Sequence, residues 1–474
     1  MGLIRSCMDT VYNRSAPKST GALTKSGGPG HNRGMIPQLV NSILSRLRQA
    51  GYQAYAVGGC VRDLLRGETP HDWDVCTSAR PDEIEQVFFD LPRIDTGKRH
   101  GTIAVILDHK PVEITTFRAD GAYLDHRHPA AVTFLPDLAG DLARRDFTVN
   151  AMALDEQDQP IDLFGGQEDL KNHIIRTVGD PAARFREDGL RILRGLRFAS
   201  RLDFEIEPKT ARAMIEEREL LNSISAERIF TELKGILVGK AAGRVLRAFA
   251  PVLFTILPEL APIAGFEQHS PYHDSDVCEH TLRAFEASPP DPVFRLALLF
   301  HDCGKPACFF RDENGRGHFY GHPQKSRELA EIALRRLKCD RETMERVLYL
   351  IEKHDTWLPE TEKNMRRLVM QAGESRLRDL LTVQRADALA HAPLGRDPAL
   401  RNIDKWEQLL ETVLQDTPCL SLQSLAVSGD DLLSLGMAPG PRMGQLLNDI
   451  LERVADGDLP NEKPSLLAYA KKHI

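Results

Sequence analysis

The chain has 474 residues, 42% hydrophobic and 27% charged, a composition that excludes a largely disordered, collagen-like or coiled-coil polypeptide. At roughly 150 residues per domain, this length predicts about three domains. A net charge of −7 excludes a globally basic surface, so any nucleic-acid site must be a local patch.

Residues 1–34, rich in Ser, Gly, Lys and Arg without periodicity, read as a disordered leader, with Met35 as an alternative start. No apolar run approaches the roughly 18–20 residues of a membrane span, and the N-terminus lacks an apolar signal core. No membrane partner is therefore expected. Eight cysteines without a CxxC pair point to a reducing cytoplasm. From Pro37, an apolar stripe of Leu39, Val40, Ile43, Leu44 and Leu47 predicts a helix ending at Gly51. A strand at Gln53–Val57 follows, then Gly58-Gly59 and a helix through Leu65. Trp73-Asp74-Val75 reads as a second strand and Pro81–Phe89 as a helix. Thr102–Leu107 and Val112–Phe117 read as strands joined by a turn at Asp108–Pro111. From about Pro181 the pattern is helical to the end. The expected organisation is an α/β head (35–160), a helical neck (161–220), a helical body (221–395) and a helical tail (396–474).

Two constellations carry chemistry. In the first, Gly58-Gly59 sits between a strand and a helix, where backbone N–H groups can approach a phosphate, and Arg62 lies one turn on. Asp72 and Asp74, two apart on an extended segment, face one side of the sheet and suit Mg²⁺. Glu113 on a neighbouring strand supplies a third carboxylate, unless it is an ordinary exposed strand residue. An Asp-x-Asp pair alone is often a solvated strand end; the ordered combination is what points to metal-assisted displacement at phosphorus. Glu187 to Arg201 reads as one helix, placing Asp188 and Arg191 on one face at i, i+3. A carboxylate accepts from an exocyclic amino group while a guanidinium donates to the acceptor beside it, a pattern that fits cytosine and adenine but not uracil. The competing reading is an intrahelical salt bridge. Arg184, Arg186, Arg191, Arg194, Arg197 and Arg201 form the local basic patch, suited to triphosphate and RNA backbone. In the second constellation, eight of the sixteen histidines fall between His269 and His391. His280, His301-Asp302, His322, His354 and Asp387 read as imidazole and carboxylate ligands from separate helices, suited to Mn, Ni, Fe, Mg or Zn. His269 and His273 read as loop residues.

The GG turn followed by paired acids resembles the polymerase β type of nucleotidyltransferase superfamily. Asp141-Leu142-Ala143-Arg144-Arg145-Asp146-Phe147-Thr148-Val149-Asn150-Ala151-Met152-Ala153 and Arg186-Glu187-Asp188-Gly189-Leu190-Arg191 narrow the resemblance to bacterial class II CCA-adding enzymes, which are tRNA nucleotidyltransferases related to poly(A) polymerases. The resemblance implies a polymerase β-like mixed sheet followed by all-α domains, and addition of CCA to tRNA from CTP and ATP. It implies that Asp72, Asp74 and Glu113 are catalytic, with Asp72 and Asp74 holding Mg²⁺. It also implies that Gly58, Gly59, Arg62, Arg144, Arg145, Asp146, Asp188, Arg191, Arg194 and Arg197 bind nucleotide, and that 117–134 is a flexible loop. His301-Asp302-Cys303-Gly304-Lys305 is similar to the HDxGK signature of HD-superfamily phosphohydrolases. That resemblance implies a second divalent metal on His280, His301, Asp302 and Asp387, with His322 and His354 as further ligands and Lys305 near a substrate phosphate. The alternatives are a poly(A) polymerase, a CC-adding enzyme, an HD phosphohydrolase with an RNA-binding head, or an HD fold that has lost its chemistry.

Overall fold

The structure, a computed structural model, describes residues 36–120, 132–416 and 419–474. The leader and the middle of the expected 117–134 loop lie outside these residues. The chain forms two compact units, Met1–Pro258 and Glu259–Ile474. The division falls inside 221–395, a stretch that the sequence reading treats as one body.

The first unit opens with α1 (Gln38–Gln49), which buries Val40, Ile43, Leu44 and Leu47, three of them in the i, i+3, i+7 stripe that the sequence shows. Next come β1 (Ala54–Val57), α2 (Gly59–Leu65), β2 (Asp74–Thr77), α3 (Pro81–Val87) and β3 (Arg93–Ile94). Strands β4 (Thr102–Leu107) and β5 (Lys110–Thr116) form a hairpin. Its turn is tighter than expected. Asp108 and His109 both take positive φ (47° and 62°), which pairs Leu107 with Lys110 and puts Pro111 into the strand. The short strands β6 (Arg118–Asp120) and β7 (Val132–Phe134) pair with each other, and α4 (Leu138–Ala143) follows. β8 (Met152–Leu154) and β9 (Pro160–Asp162) complete a mixed seven-stranded sheet, ordered β3-β4-β5-β2-β1-β8-β9. Only β2 and β5 run parallel. Leu138 and Leu142 of α4 pack on Val57, Cys76, Phe117 and Ala153, sealing one face of the sheet.

The rest of this unit is helical apart from the paired strands β10 (Ile174–Ile175) and β11 (Glu205–Ile206). Its helices are α5 (Gly166–Lys171), α6 (Pro181–Glu187), α7 (Leu190–Leu202), α8 (Pro208–Glu216), α9 (Ala226–Leu237), α10 (Ala242–Ala248) and α11 (Ala250–Ile256). The single helix expected over 187–201 is two helices. Asp188 is extended (φ −143°, ψ 107°), and its side chain accepts from Leu190 N–H, capping α7. Gly189 fits here because a Cβ would lie 2.9 Å from Leu220 Cβ. Asp188 and Arg191 therefore do not share one continuous helical face.

Helix α7 is the spine of this region, and Gly195 sits at its closest approach. A Cβ there would overlap Met214 Cε and lie 2.8 Å from Phe147 Cζ. Gly→Ala inside a helix gains about 1 kcal/mol in propensity, whereas forcing atoms into a packed core costs about 1–3 kcal/mol. Gly195→Ala is therefore expected to lower the urea midpoint; a raised midpoint would show that the helix can shift away without cost.

The second unit contains α12 (Val277–Ala287), α13 (Pro292–Phe300), α14 (Lys305–Cys308) and a hairpin of β12 (Phe310–Arg311) and β13 (Gly317–His318). It continues with α15 (His322–Arg336), α16 (Arg341–Lys353), α17 (Glu362–Ala372), α18 (Glu374–Ala390) and α19 (Pro393–Asp416). Helices α20 (Gly429–Ser434), α21 (Pro441–Ala455) and α22 (Lys463–Lys471) share a separate small core around Leu432, Ile450 and Leu466.

Candidate functional site

In the first unit, the parallel pairing of β2 and β5 sets Asp74 directly beside Glu113, with Val75 and Ile114 next in register and buried. Both acids are solvent-facing, and Asp72 lies two residues upstream. Crowding by protein atoms raises the Asp74 carboxyl pKa; Arg145 opposes the shift, while the like charges of Glu113 and Asp72 add to it. Asp74 and Glu113, with Asp72 upstream, are carboxylates of the kind that a divalent cation takes. Gly58, between β1 and α2, takes φ +87°. A Cβ there would stand 3.0 Å from Arg145 Nη1 and 3.6 Å from Asp74 Oδ2, so glycine lets the turn close over both.

The arginines expected around a nucleotide are brought together, but each is already paired. Arg62 Nη1 donates to Asn150 Oδ1 (2.8 Å) and its Nε to Asp63 Oδ1 (2.8 Å). Arg144 and Arg145 both bind the fully buried Asp141, at 2.8 and 3.2 Å. Burial alone would raise the Asp146 carboxyl pKa, but Arg194, 2.7 Å away, holds it below the usual range. Arg197 Nε donates to Glu232 (2.6 Å). The guanidiniums of Arg62, Arg194 and Arg197 gather around the Phe198 ring, 5.5, 5.6 and 4.4 Å from its centroid. Asp188 does not pair with Arg191. Its Oδ2 accepts from Arg228 of α9 at 2.9 Å, while Arg191 pairs with Glu187 at 2.5 Å and donates to Arg144 O at 3.2 Å. The extended backbone at Asp188, where the helix breaks, causes this exchange of partners.

In the second unit, His280 on α12, His301-Asp302 after α13, His322 on α15, His354 after α16 and Asp387 on α18 converge in the interior. His280 Nε2 lies 2.8 Å from Asp387 Oδ1 and 3.4 Å from Asp302 Oδ2; His301 Nε2 lies 3.4 and 3.2 Å from the same two atoms. The other Asp302 oxygen, Oδ1, lies 3.3 Å from His322 Nε2 and 3.8 Å from His354 Nε2. Such separations suit donors around a common ion, whose ligand atoms at about 2.1 Å stand roughly 3 Å apart. Nδ1 of His301, His322 and His354 meets the carbonyls of Leu298, Phe319 and Ile351 at 2.7–3.0 Å, and Nδ1 of His280 lies 3.4 Å from Ala390 O. These carbonyls leave each Nε2 as the inward lone pair, the outer arrangement that metal-binding histidines need. His301 Nε2 is buried with no hydrogen-bond partner. Burial disfavours a charged His301, yet Asp302 and Asp387 push its pKa up to about 10. Lys305, expected near a substrate phosphate, is buried against Asp302 Oδ2 (2.7 Å) and Gln268 Oε1 (2.9 Å).

Comparison with known proteins places this geometry. Residues 54–176 match the poly A polymerase head domain, 203–263 the RNA and SrmB-binding site of polymerase A, and 322–470 domain 2 of the tRNA nucleotidyltransferases. The CCA-adding enzyme of Levilactobacillus brevis is 36% identical over 91% of this chain and 96% of its own length. The chain belongs to the family of CCA-adding enzymes. That of Bacillus licheniformis is 37% identical over 90% of this chain and 95% of its own. Among solved structures, Bacillus stearothermophilus CCA-adding enzyme in complex with CTP aligns with a TM-score of 0.67 and 31% identity, covering 92% of this chain and 97% of that one. The mixed-sheet head followed by helices is the fold of this family. The second unit holds groups able to take a divalent cation, and no helix among the described residues is long and apolar enough to cross a membrane.

Sequence reasoning missed several organisers. Asp141, at i−3 and i−4 from Arg144 and Arg145 on α4, was visible as a helical spacing. Glu232, Arg228 and Phe198 left no local signal. His391 was visible four residues after Asp387, with its Nε2 3.7 Å from Asp387 Oδ1. His273, read as a loop residue, stands with its ring 4.8 Å from that of His280.

Proposed function

We propose that the first unit adds C, C and A to the 3′ end of tRNA from CTP and ATP without a nucleic-acid template, releasing pyrophosphate. Membership of the CCA-adding family supports this reading, and the observation that carries it is Asp74 beside Glu113 with Asp72 upstream. Asp72, Asp74 and Glu113 would hold Mg²⁺, which when bound activates the attacking hydroxyl and stabilises the leaving oxygen. The chain's own residues do the rest. Gly58 and Gly59 admit the triphosphate close to the backbone, and Arg62, Arg194 and Arg197 offset its charge. Arg144, Arg145 and Asp146 border the ribose and phosphates. Asp188 and Arg191 read the Watson–Crick edge, each keeping hydrogen-bonding capacity beyond its present partner. This reading places a head at 35–160, a neck at 161–220, a body at 221–395 and a tail at 396–474 in a cytoplasmic enzyme. The test is tRNA ending at the discriminator base, incubated with each nucleotide. CTP alone should add two residues, ATP alone none, and both together three. A long adenosine tail would instead favour a poly(A) polymerase.

The second unit supports a second reading, as a metal-dependent phosphohydrolase of the HD type. The observation is Asp302, whose two oxygens face different histidine pairs. His280, His301, Asp302 and Asp387 would hold one divalent cation, with His322 and His354 on the far side of Asp302; such a cation polarises a phosphoryl oxygen and activates water. His301→Ala is expected to lose hydrolysis of a chromogenic phosphate ester in Mn²⁺ or Ni²⁺ while retaining tRNA addition. Equal ester hydrolysis by wild type and variant would remove this reading.

A further inference from the structure

The second unit gathers six imidazoles, and they fall into two kinds. His280, His301, His322 and His354 face carbonyls through Nδ1, which fixes the inward nitrogen. His273 and His391 have no such tether. Their rings pack at 4.6 Å, edge to face, and His391 stacks on His280 at 5.2 Å with 17° between the planes. His273 Nδ1 is buried without a hydrogen-bond partner. His391 Nε2 stands 3.7 Å from Asp387 Oδ1, beyond hydrogen-bond reach. A buried polar nitrogen is kept unpaired at a cost unless something supplies its partner. Metal-binding histidines commonly have their outer nitrogen so oriented; His273 and His391, which with His280 also form a group able to take a metal, lack that orientation.

We propose that His273 and His391 bind the non-bridging oxygens of a phosphoryl group held at the His280–His301–Asp302–Asp387 centre. The inference rests on the reading of that centre as a divalent metal site. An anion with several acceptor oxygens suits the position. Two adjacent imidazole N–H groups can donate to it while the cation neutralises its charge. A third imidazole pair serving as metal ligands would need the nitrogen orientation that the other four receive from carbonyls. Next to His273 in the chain, the exposed Tyr272 ring carries the Arg316 guanidinium 5.0 Å from its centroid.

The test uses the full chain loaded with Mn²⁺, with inorganic phosphate as the probe followed by calorimetry. His273→Gln and His391→Gln are expected to keep the wild-type Mn²⁺ stoichiometry and melting temperature and to weaken phosphate binding at least about tenfold, since one hydrogen bond to a charged partner is commonly worth that much. His301→Ala should lose Mn²⁺ at this centre. Variants that bind phosphate as wild type does, or a loaded wild type that binds none, overturn the proposal while leaving the metal site standing. Loss of Mn²⁺ in the two Gln variants makes them ligands and overturns it as well. A wild type that takes up no Mn²⁺ at this centre overturns the metal reading itself, and the proposal with it. If Ala variants at both positions lower the melting temperature but the Gln variants do not, the Gln series decides.

Discussion

Asp74→Asn should abolish nucleotide addition with the fold intact. Asp74 opens β2 beside Glu113, facing solvent while its neighbours Val75 and Ile114 are buried. Its carboxyl pKa is raised by crowding and by the like charges of Glu113 and Asp72, against the opposing pull of Arg145, so on balance an amide relieves more than it removes. The melting temperature should stay level or rise slightly. Activity should behave differently. Charge stabilisation by catalytic metal is worth several kcal/mol, and each 1.36 kcal/mol is tenfold in rate, so a loss of about a thousandfold or more is expected. Asp72→Asn should behave alike. Single-turnover incorporation of CTP into tRNA lacking its 3′ end measures both. Near-wild-type incorporation by either variant would remove the metal-binding role. Glu113→Gln is the sharper comparison, because its register beside Asp74 is what distinguishes it from an ordinary strand glutamate. A loss below about tenfold would return it to the surface role, since one charged hydrogen bond is commonly worth that much.

How much of this site was legible depends on how far apart its partners are in the chain. The strands at 102–107 and 112–117 are β-branched and alternate, so both were visible, and with them the position of Glu113. β8 was not. Met152-Ala153-Leu154 carries no strand propensity and becomes a strand only because β1 offers Ala56 and Val57 as partners. The arginine patch was visible as composition, yet the partner of Arg194 lies 48 residues away and that of Arg197 lies 35 away. No periodicity records such pairs. Gly189 is the instructive failure. One glycine inside an Arg- and Leu-rich run costs only about 1 kcal/mol in helix propensity, too little to predict a break. The break lies one residue earlier, at the extended Asp188, while Gly189 itself is helical (φ −58°, ψ −25°) and Leu220 accounts only for the missing side chain there. On the second unit, the histidine density announced a cluster, and apolar Leu296–Phe300 announced that His301-Asp302 would be buried. His273 sits in a polar loop, and only the folded chain brings it to His280.

That break gives the nucleotide-selection reading a stricter test. Asp188 now has two duties within the protein: Oδ1 caps α7 through Leu190 N–H, and Oδ2 pairs with Arg228. A purely structural Asp188 predicts that Asp188→Ala slows CTP, ATP and UTP incorporation by one common factor. A base-reading Asp188 predicts that the variant also relaxes selection, because the acceptor for the exocyclic amino group is gone. A hydrogen bond to a charged partner is worth roughly 1.5–3 kcal/mol, so discrimination against UTP should fall about ten- to a hundredfold. Arg228→Ala separates the two duties. It removes the ion pair but keeps the carboxylate and its cap, so the ratio of CTP to UTP should stay close to wild type while the overall rate falls. Arg194→Ala supplies the phosphate-side contrast, weakening all nucleotides alike. It also strands the buried Asp146 carboxylate, so it should be measured at a temperature where the melting curve shows the variant folded. If Arg228→Ala and Asp188→Ala shift the CTP to UTP ratio equally, the ion pair and not the carboxylate sets the choice, and the base-reading role of Asp188 is wrong.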